Sequence, residues 1–194
     1  MTRFSTNHGF AAATALILLT TVSACAHTGT ESVTQAVSSE RVPSAPLPAG
    51  DGSFVFADWK GPPITVYTHL PQQVTEATPI VFVMHGASRD PDRYRDEWRD
   101  LADANAFILI TPGFDDENFP KSRSYNYGGF RDADGNLRPR DEWTFAAIDP
   151  LFREVRRRTG SEVEKFAIYG HSAGGQFTHR YVQLMQDPLI DIAI

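Results

Sequence analysis

Residues 165–176 read KFAIYGHSAGGQ. A short run of strand-forming residues at 165–169 leads into Gly170-His171-Ser172-Ala173-Gly174-Gly175. A helical pattern follows over 176–186 and stops near Pro188. G-x-S-x-G between a strand and a helix is the setting in which that pattern carries chemical meaning. The reason for the spacing is steric. A serine at the tip of so sharp a turn has a strained backbone, and the residues two before and two after it nearly touch. Gly170 and Gly174 remove the side chains that would collide. A helix that begins at the serine also points its free amides and its dipole at that hydroxyl. The plain alternative is a glycine-rich strand–helix turn in which Ser172 is incidental.

Working upstream, residues 79–85 (PIVFVMH) form the continuous apolar run of a buried parallel strand. Asp90-Pro91 reads as a helix N-cap followed by proline at the first helical position. Tyr94, Trp98, Leu101 and Ala102 then fall at i, i+4, i+7 and i+8, the stripe of an amphipathic helix. FILIT, at 107–111, is a second buried strand. A further helix is expected over 142–158, bent or restarted at Asp149-Pro150 and stopped by Gly160. Nearer the amino terminus, 53–59 and 64–70 read as two strands around a turn at 60–63. Residues 190–194 start one more strand. Two early strands followed by alternating strands and helices predict an α/β fold, a predominantly parallel sheet with helices on both faces.

The order strand, His85-Gly86, helix, strand, GHSAGG, helix resembles the α/β-hydrolase superfamily. More narrowly, VMHGASRD and IYGHSAGGQF resemble the secreted esterases related to poly(3-hydroxyalkanoate) depolymerases and feruloyl esterases. The likeness covers about residues 79–194. It implies that Ser172 attacks an ester carbonyl, a histidine takes its proton, and an acyl-enzyme forms and is hydrolysed. It further implies an oxyanion hole made by the backbone amides of Ala87 and Ala173, with His85 and Gly86 in the loop that carries Ala87 and Gly170 and Gly174 framing the elbow. Neither a metal nor a cofactor is implied. The substrate class is a small or polymeric ester.

One departure is plain. The resemblance implies the order Ser, Asp or Glu, then His, with the last two on loops after later strands. This sequence ends at Ile194, and its histidines stand at 8, 27, 69, 85, 171 and 179. The triad acid and histidine are therefore expected to be absent from these residues, and the chain to be the amino-terminal part of a longer hydrolase. A second polypeptide or a dimer is the alternative source. A non-catalytic binding protein that keeps the fold is the competing reading. A nucleotide-binding domain would need G-x-G-x-x-G, which HGASRD does not supply.

Residues 113–141 form a long segment leaving the carboxyl end of the 107–111 strand, where ligands of open α/β sheets bind. Tyr125 and Tyr127 are assigned to the substrate cleft, with loop packing as the alternative. Asp115 and Asp116 read as solvated turn carboxylates rather than a metal pair. Arg156-Arg157-Arg158, at a helix end, reads as complementing the helix dipole rather than as an anion site.

Composition closes off other classes. Eighteen Lys and Arg against twenty-four Asp and Glu give a formal charge of −6, which argues against a protein that neutralises nucleic-acid phosphates. Residues 10–22, FAAATALILLTTV, are too few to cross a bilayer and suit a signal segment. Val22-Ser23-Ala24-Cys25 resembles a lipobox, which implies cleavage before an acylated Cys25, the only cysteine. Ala26 after it implies an outer-membrane anchor in a Gram-negative host, with ordinary secretion or a periplasmic location as the alternative. The organisation expected is a signal peptide at 1–24, a flexible tether at 25–50 rich in Ser, Thr, Ala and Pro, and a partial hydrolase domain at 51–194. Cys25→Ser is expected to abolish incorporation of radioactive fatty acid in a bacterial host. Continued labelling of the mutant would refute the lipobox reading.

Overall fold

The computed structural model describes residues 45–186 and 188–194. The expected signal peptide, Cys25 and the tether as far as residue 44 lie outside the described residues. Strands β1 (Gly50–Phe56), β2 (Ile64–Leu70), β3 (Ile80–Met84), β4 (Ile108–Gly113), β5 (Phe166–Gly170) and β6 (Ile190–Ala193) form one sheet. Their order is β1-β2-β4-β3-β5-β6. β1 is antiparallel to β2 and β2 to β4, while β4, β3, β5 and β6 run parallel. This is the α/β architecture read from the sequence.

Burial follows strand position. β4 is buried at every residue and β3 at all but Val81, as expected where both faces are covered. Edge strand β1 instead alternates between exposed and partly buried positions. The period of two sends Val83 and Leu109 to one face, where helix α1 (Pro91–Asn105) covers them with Tyr94 and Ala102. It sends Phe82, Met84, Ile108 and Ile110 to the other face, under helices α3 (Ile148–Thr159) and α4 (Ala173–Leu184). Leu151, Phe152, Val155 and Phe177 are fully buried there, each worth roughly 1.5–3 kcal/mol of apolar burial. A single turn, α2 (Lys121–Ser124), and two 3-10 turns (Arg140–Glu142 and Thr144–Ala147) lie in the long segment between β4 and α3.

Several boundaries differ from expectation for local reasons. The first strand ends at Phe56 rather than at residue 59, because Trp59 folds over Gly61 and donates to the Pro62 carbonyl at 2.9 Å. Residues 45–50 are not free tether. Leu47 is buried, its amide donates to the Arg158 carbonyl at 3.1 Å, and Arg158 Nε donates to the Ala45 carbonyl at 2.8 Å. The helix expected over 142–158 begins properly at Ile148, with Pro150 in its first turn, where the missing N–H costs nothing. Asp90 precedes Pro91 but makes no cap bond; its carboxylate binds Arg93 Nε at 2.6 Å. The helix after the elbow starts at Ala173, three residues earlier than its apolar pattern.

A polar clasp ties the β1 edge to α1. His69, on β2 and 5% exposed, bonds Asp51 through Nδ1 at 2.6 Å and Asp103 through Nε2 at 3.0 Å. Arg99 joins Asp51 at 2.8 Å. Burial alone would lower the imidazole pKa, but hydrogen bonds with Asp103 and Asp51, and their charges, outweigh it and raise the pKa. A raised folded-state pKa stabilises fully below the ordinary imidazole value of about 6.5, and that stability is lost as pH rises through the folded-state pKa. His69→Gln is therefore expected to cost roughly 1–2 kcal/mol in urea unfolding at about pH 6, and less at about pH 9. An equal deficit at both values would show that the clasp is neutral.

Candidate active site

The elbow is built by close backbone approach. β5 ends at Gly170, α4 begins at Ala173, and Ser172 between them has φ 55° and ψ −113°. An L-residue rarely occupies that region, and doing so costs about 1–3 kcal/mol. A Cβ on Gly170 would lie 2.3 Å from the Gly174 carbonyl oxygen, the collision expected from the spacing. Gly174 is needed for a different neighbour. Its Cβ would lie 2.1 Å from the Met84 carbonyl oxygen and 2.8 Å from that of His85, so the first turn of α4 rests on the end of β3. Ser172 is exposed, while Ala173 and Gly174 are buried behind it. Ala173 opens the helix, so its amide precedes the first intrahelical hydrogen bond.

The loop after β3 abuts this turn. A Cβ on Gly86 would lie 3.9 Å from Ser172 Cβ, 3.7 Å from His171 Nδ1 and 3.1 Å from the Tyr94 hydroxyl. Ala87, next in the chain, is exposed. The structure thus brings the loop of His85, Gly86 and Ala87 against the elbow of Gly170, Ser172, Ala173 and Gly174. His85 itself is fully buried and both ring nitrogens are engaged. Nε2 accepts from the Phe114 amide at 3.1 Å, so Nδ1 carries the proton and donates to the Gly86 carbonyl at 2.9 Å. Burial lowers its pKa to about 4; the bond to Gly86 opposes that shift and the Arg89 charge adds to it. At neutral pH it is an uncharged strut.

Tyr125, expected to line a cleft, is fully buried beneath the loop. Its hydroxyl donates to the His85 carbonyl at 2.7 Å, and its ring stacks on His85 with centroids 4.6 Å apart. Burial raises the phenol pKa far above its ordinary value, against the Arg89 charge. The Arg89 guanidinium lies 4.4 Å over the same ring and donates to the carbonyls of Phe114, Phe119 (3.1 Å) and Lys121 (3.2 Å). Arg89 thereby fastens the segment after β4 to the loop after β3. In the sequence only its place right after HGAS marks it; the structure shows it as a turn residue with a φ of 56°.

Tyr127 is 44% exposed and borders a surface hollow with Arg123, Phe130 and Arg131. The Arg180 guanidinium of α4 lies 4.5 Å over its ring. Asn126 Nδ2 donates to Gln176 Oε1 at 2.8 Å, so this part of the segment docks one helical turn beyond Ser172. Asp115 accepts from the Asn118 amide at 2.7 Å and Asp116 meets Arg89 at 3.3 Å, which makes them turn and clamp carboxylates. Of Arg156-Arg157-Arg158, Arg157 pairs with Glu154 at 2.7 Å, while Arg156 and Arg158 hold neighbouring backbone carbonyls.

Of the described histidines, His69, His85 and His171 are each hydrogen-bonded to groups other than Ser172. His69 is held in its clasp beside Leu109, near the amino end of the parallel strands, whereas Ser172 lies at their carboxyl end. His171 Nδ1 is bonded to the Tyr94 hydroxyl at 2.8 Å, and His179 is exposed on α4. His8 and His27 lie outside the described residues.

No protein-family model and no curated relative matches the chain. Solved structures do. A poly(aspartic acid) hydrolase from Sphingomonas sp. KT-1 aligns with TM-score 0.75 and 49% identity over 76% of this chain and 56% of that one. LpqC, a poly(3-hydroxybutyrate) depolymerase from Bordetella parapertussis, aligns with TM-score 0.71 and 33% identity over 75% of this chain and 51% of that one. An acetyl xylan esterase from Aspergillus awamori, at TM-score 0.55 and 14% identity, shares the fold. The chain spans about half the length of these neighbours. With its mixed, mostly parallel sheet and a strained serine at the carboxyl end of β5, the chain has the α/β-hydrolase fold.

Proposed function

We propose that the chain carries the nucleophile half of a serine hydrolase acting on carboxylic esters. The observation that carries this reading is Ser172, exposed and strained at the start of α4, with Gly86 close enough that a Cβ there would lie 3.9 Å from its own. In the proposed reaction Ser172 Oγ bonds to the ester carbonyl carbon as its proton passes to a histidine base. The carbonyl oxygen becomes an oxyanion facing the amides of Ala87 and Ala173. The carbon–oxygen ester bond then breaks, the alcohol leaves with the proton, and water hydrolyses the acyl-serine. The base is proposed to come from a segment equivalent to the unmatched remainder of the longer neighbours, or from a second chain. Names such as poly(aspartic acid) hydrolase and poly(3-hydroxybutyrate) depolymerase support a polymeric or small acyl substrate. Tyr127, beside α4, is proposed to border the path of that substrate. The lipobox-like Cys25 supports an envelope-anchored location, also a proposal.

The test uses the 194-residue chain extended by the carboxyl-terminal half of the Sphingomonas neighbour and assayed on short aryl esters. Ser172→Ala in that protein is expected to lower kcat by roughly 10⁴-fold or more while leaving the melting temperature nearly unchanged. Turnover at the parent rate would place the nucleophile elsewhere. A folded extended protein that binds esters without turning them over would favour the non-catalytic reading.

A further inference from the structure

Tyr94 stands on the first turns of α1, far from Ser172 in sequence, yet its hydroxyl lies 2.8 Å from His171 Nδ1. Tyr94 is 5% exposed, so water scarcely reaches it. Among the described residues His171 Nδ1 is the hydrogen-bond partner of this hydroxyl. A buried phenol needs an acceptor for its proton, and Nδ1 can be one only if Nε2 carries the imidazole proton. The same hydroxyl fills the space over Gly86, where a Cβ would approach it to 3.1 Å. One side chain therefore touches the residue before the serine and the loop that carries Ala87.

We propose that Tyr94 is a positioning residue for the nucleophile: by donating to His171 Nδ1 it fixes that ring as the Nε2–H tautomer and sets the spacing between the Gly86 loop and the elbow. Two consequences follow. His171, although adjacent to Ser172, is a hydrogen-bond donor at its exposed edge and not the base that accepts the serine proton. The amides of Ala87 and Ala173, one on each side of this contact, are held at a separation that matters only once an oxyanion forms. Loss of the hydroxyl then weakens transition-state binding more than ground-state binding. Only this second consequence rests on the serine-hydrolase reading.

Tyr94→Phe tests both, since it keeps the ring in place, and a thermal melt checks that the variant remains folded. In the 194-residue chain, long-range proton–nitrogen correlation spectra are expected to show His171 protonated on Nε2 in the parent and a mixture of tautomers in the variant. An Nδ1–H tautomer in the parent, or identical spectra in both proteins, would overturn the proposal. In the extended protein the variant is expected to lose roughly tenfold in kcat with KM within about twofold of the parent. An unchanged kcat would overturn the positioning role. A parent that turns over no ester would count against the hydrolase reading, while the spectra would still decide the tautomer.

Discussion

The first turn of α4 rests on the carbonyls of Met84, at the end of β3, and of His85 just after it, and a missing side chain at residue 174 permits it. Any Cβ there would enter the Met84 carbonyl, so the helix would have to lift away from the sheet. With the contact made, Phe177 and Tyr181 reach the core and Ser172 is held beside Gly86. The turn between β5 and α4 has two residues in which to reverse direction, and the unfavourable backbone of Ser172 is the result. Burial of the α4 face offsets that local cost.

Buried side chains bonded to backbone groups keep the loop after β3 from drifting. His85, neutral because it is buried, joins the Gly86 carbonyl to the Phe114 amide. Tyr125 and Arg89 then fasten the segment after β4 to the same loop through backbone carbonyls. Helix α1, which follows that loop, is tied near both ends: Tyr94 meets His171, and Asp103 meets His69. Each tie pairs a side chain with a specific acceptor, so the arrangement is held by directional bonds as well as by packing. These ties give the elbow a rigid setting, which is what an oxyanion site of the proposed kind requires.

The fold was legible because its signals are local. Continuous apolar runs at β3 and β4, the stripe on α1, and glycines two residues either side of Ser172 each carry their own physical reason. Less legible was whatever depends on a partner distant in sequence. Tyr125 reads as a loop aromatic until Arg89, His85 and Phe114 are seen to surround it. Tyr94 reads as one residue of an apolar stripe, and nothing in that stripe says where its hydroxyl goes. His69 lies in a strand whose alternation gives no hint that two carboxylates, one on β1 and one on α1, converge on it. Leu47 sits in a stretch whose composition suggests a linker, and a single backbone bond to Arg158 brings it into the core. In the sequence Gly174 reads as a contact for Gly170, but its nearest obstacle is the end of β3.

Ser172 is held in a backbone conformation it would not choose. Urea unfolding of Ser172→Gly against the parent tests it most directly and needs no activity. At an ordinary position this change lowers stability by up to roughly 1 kcal/mol, because glycine enlarges the unfolded ensemble. At φ 55° and ψ −113° glycine also relieves the strain, so the variant is predicted to be more stable than the parent by roughly 1 kcal/mol. A variant less stable by the ordinary amount would contradict the strained elbow.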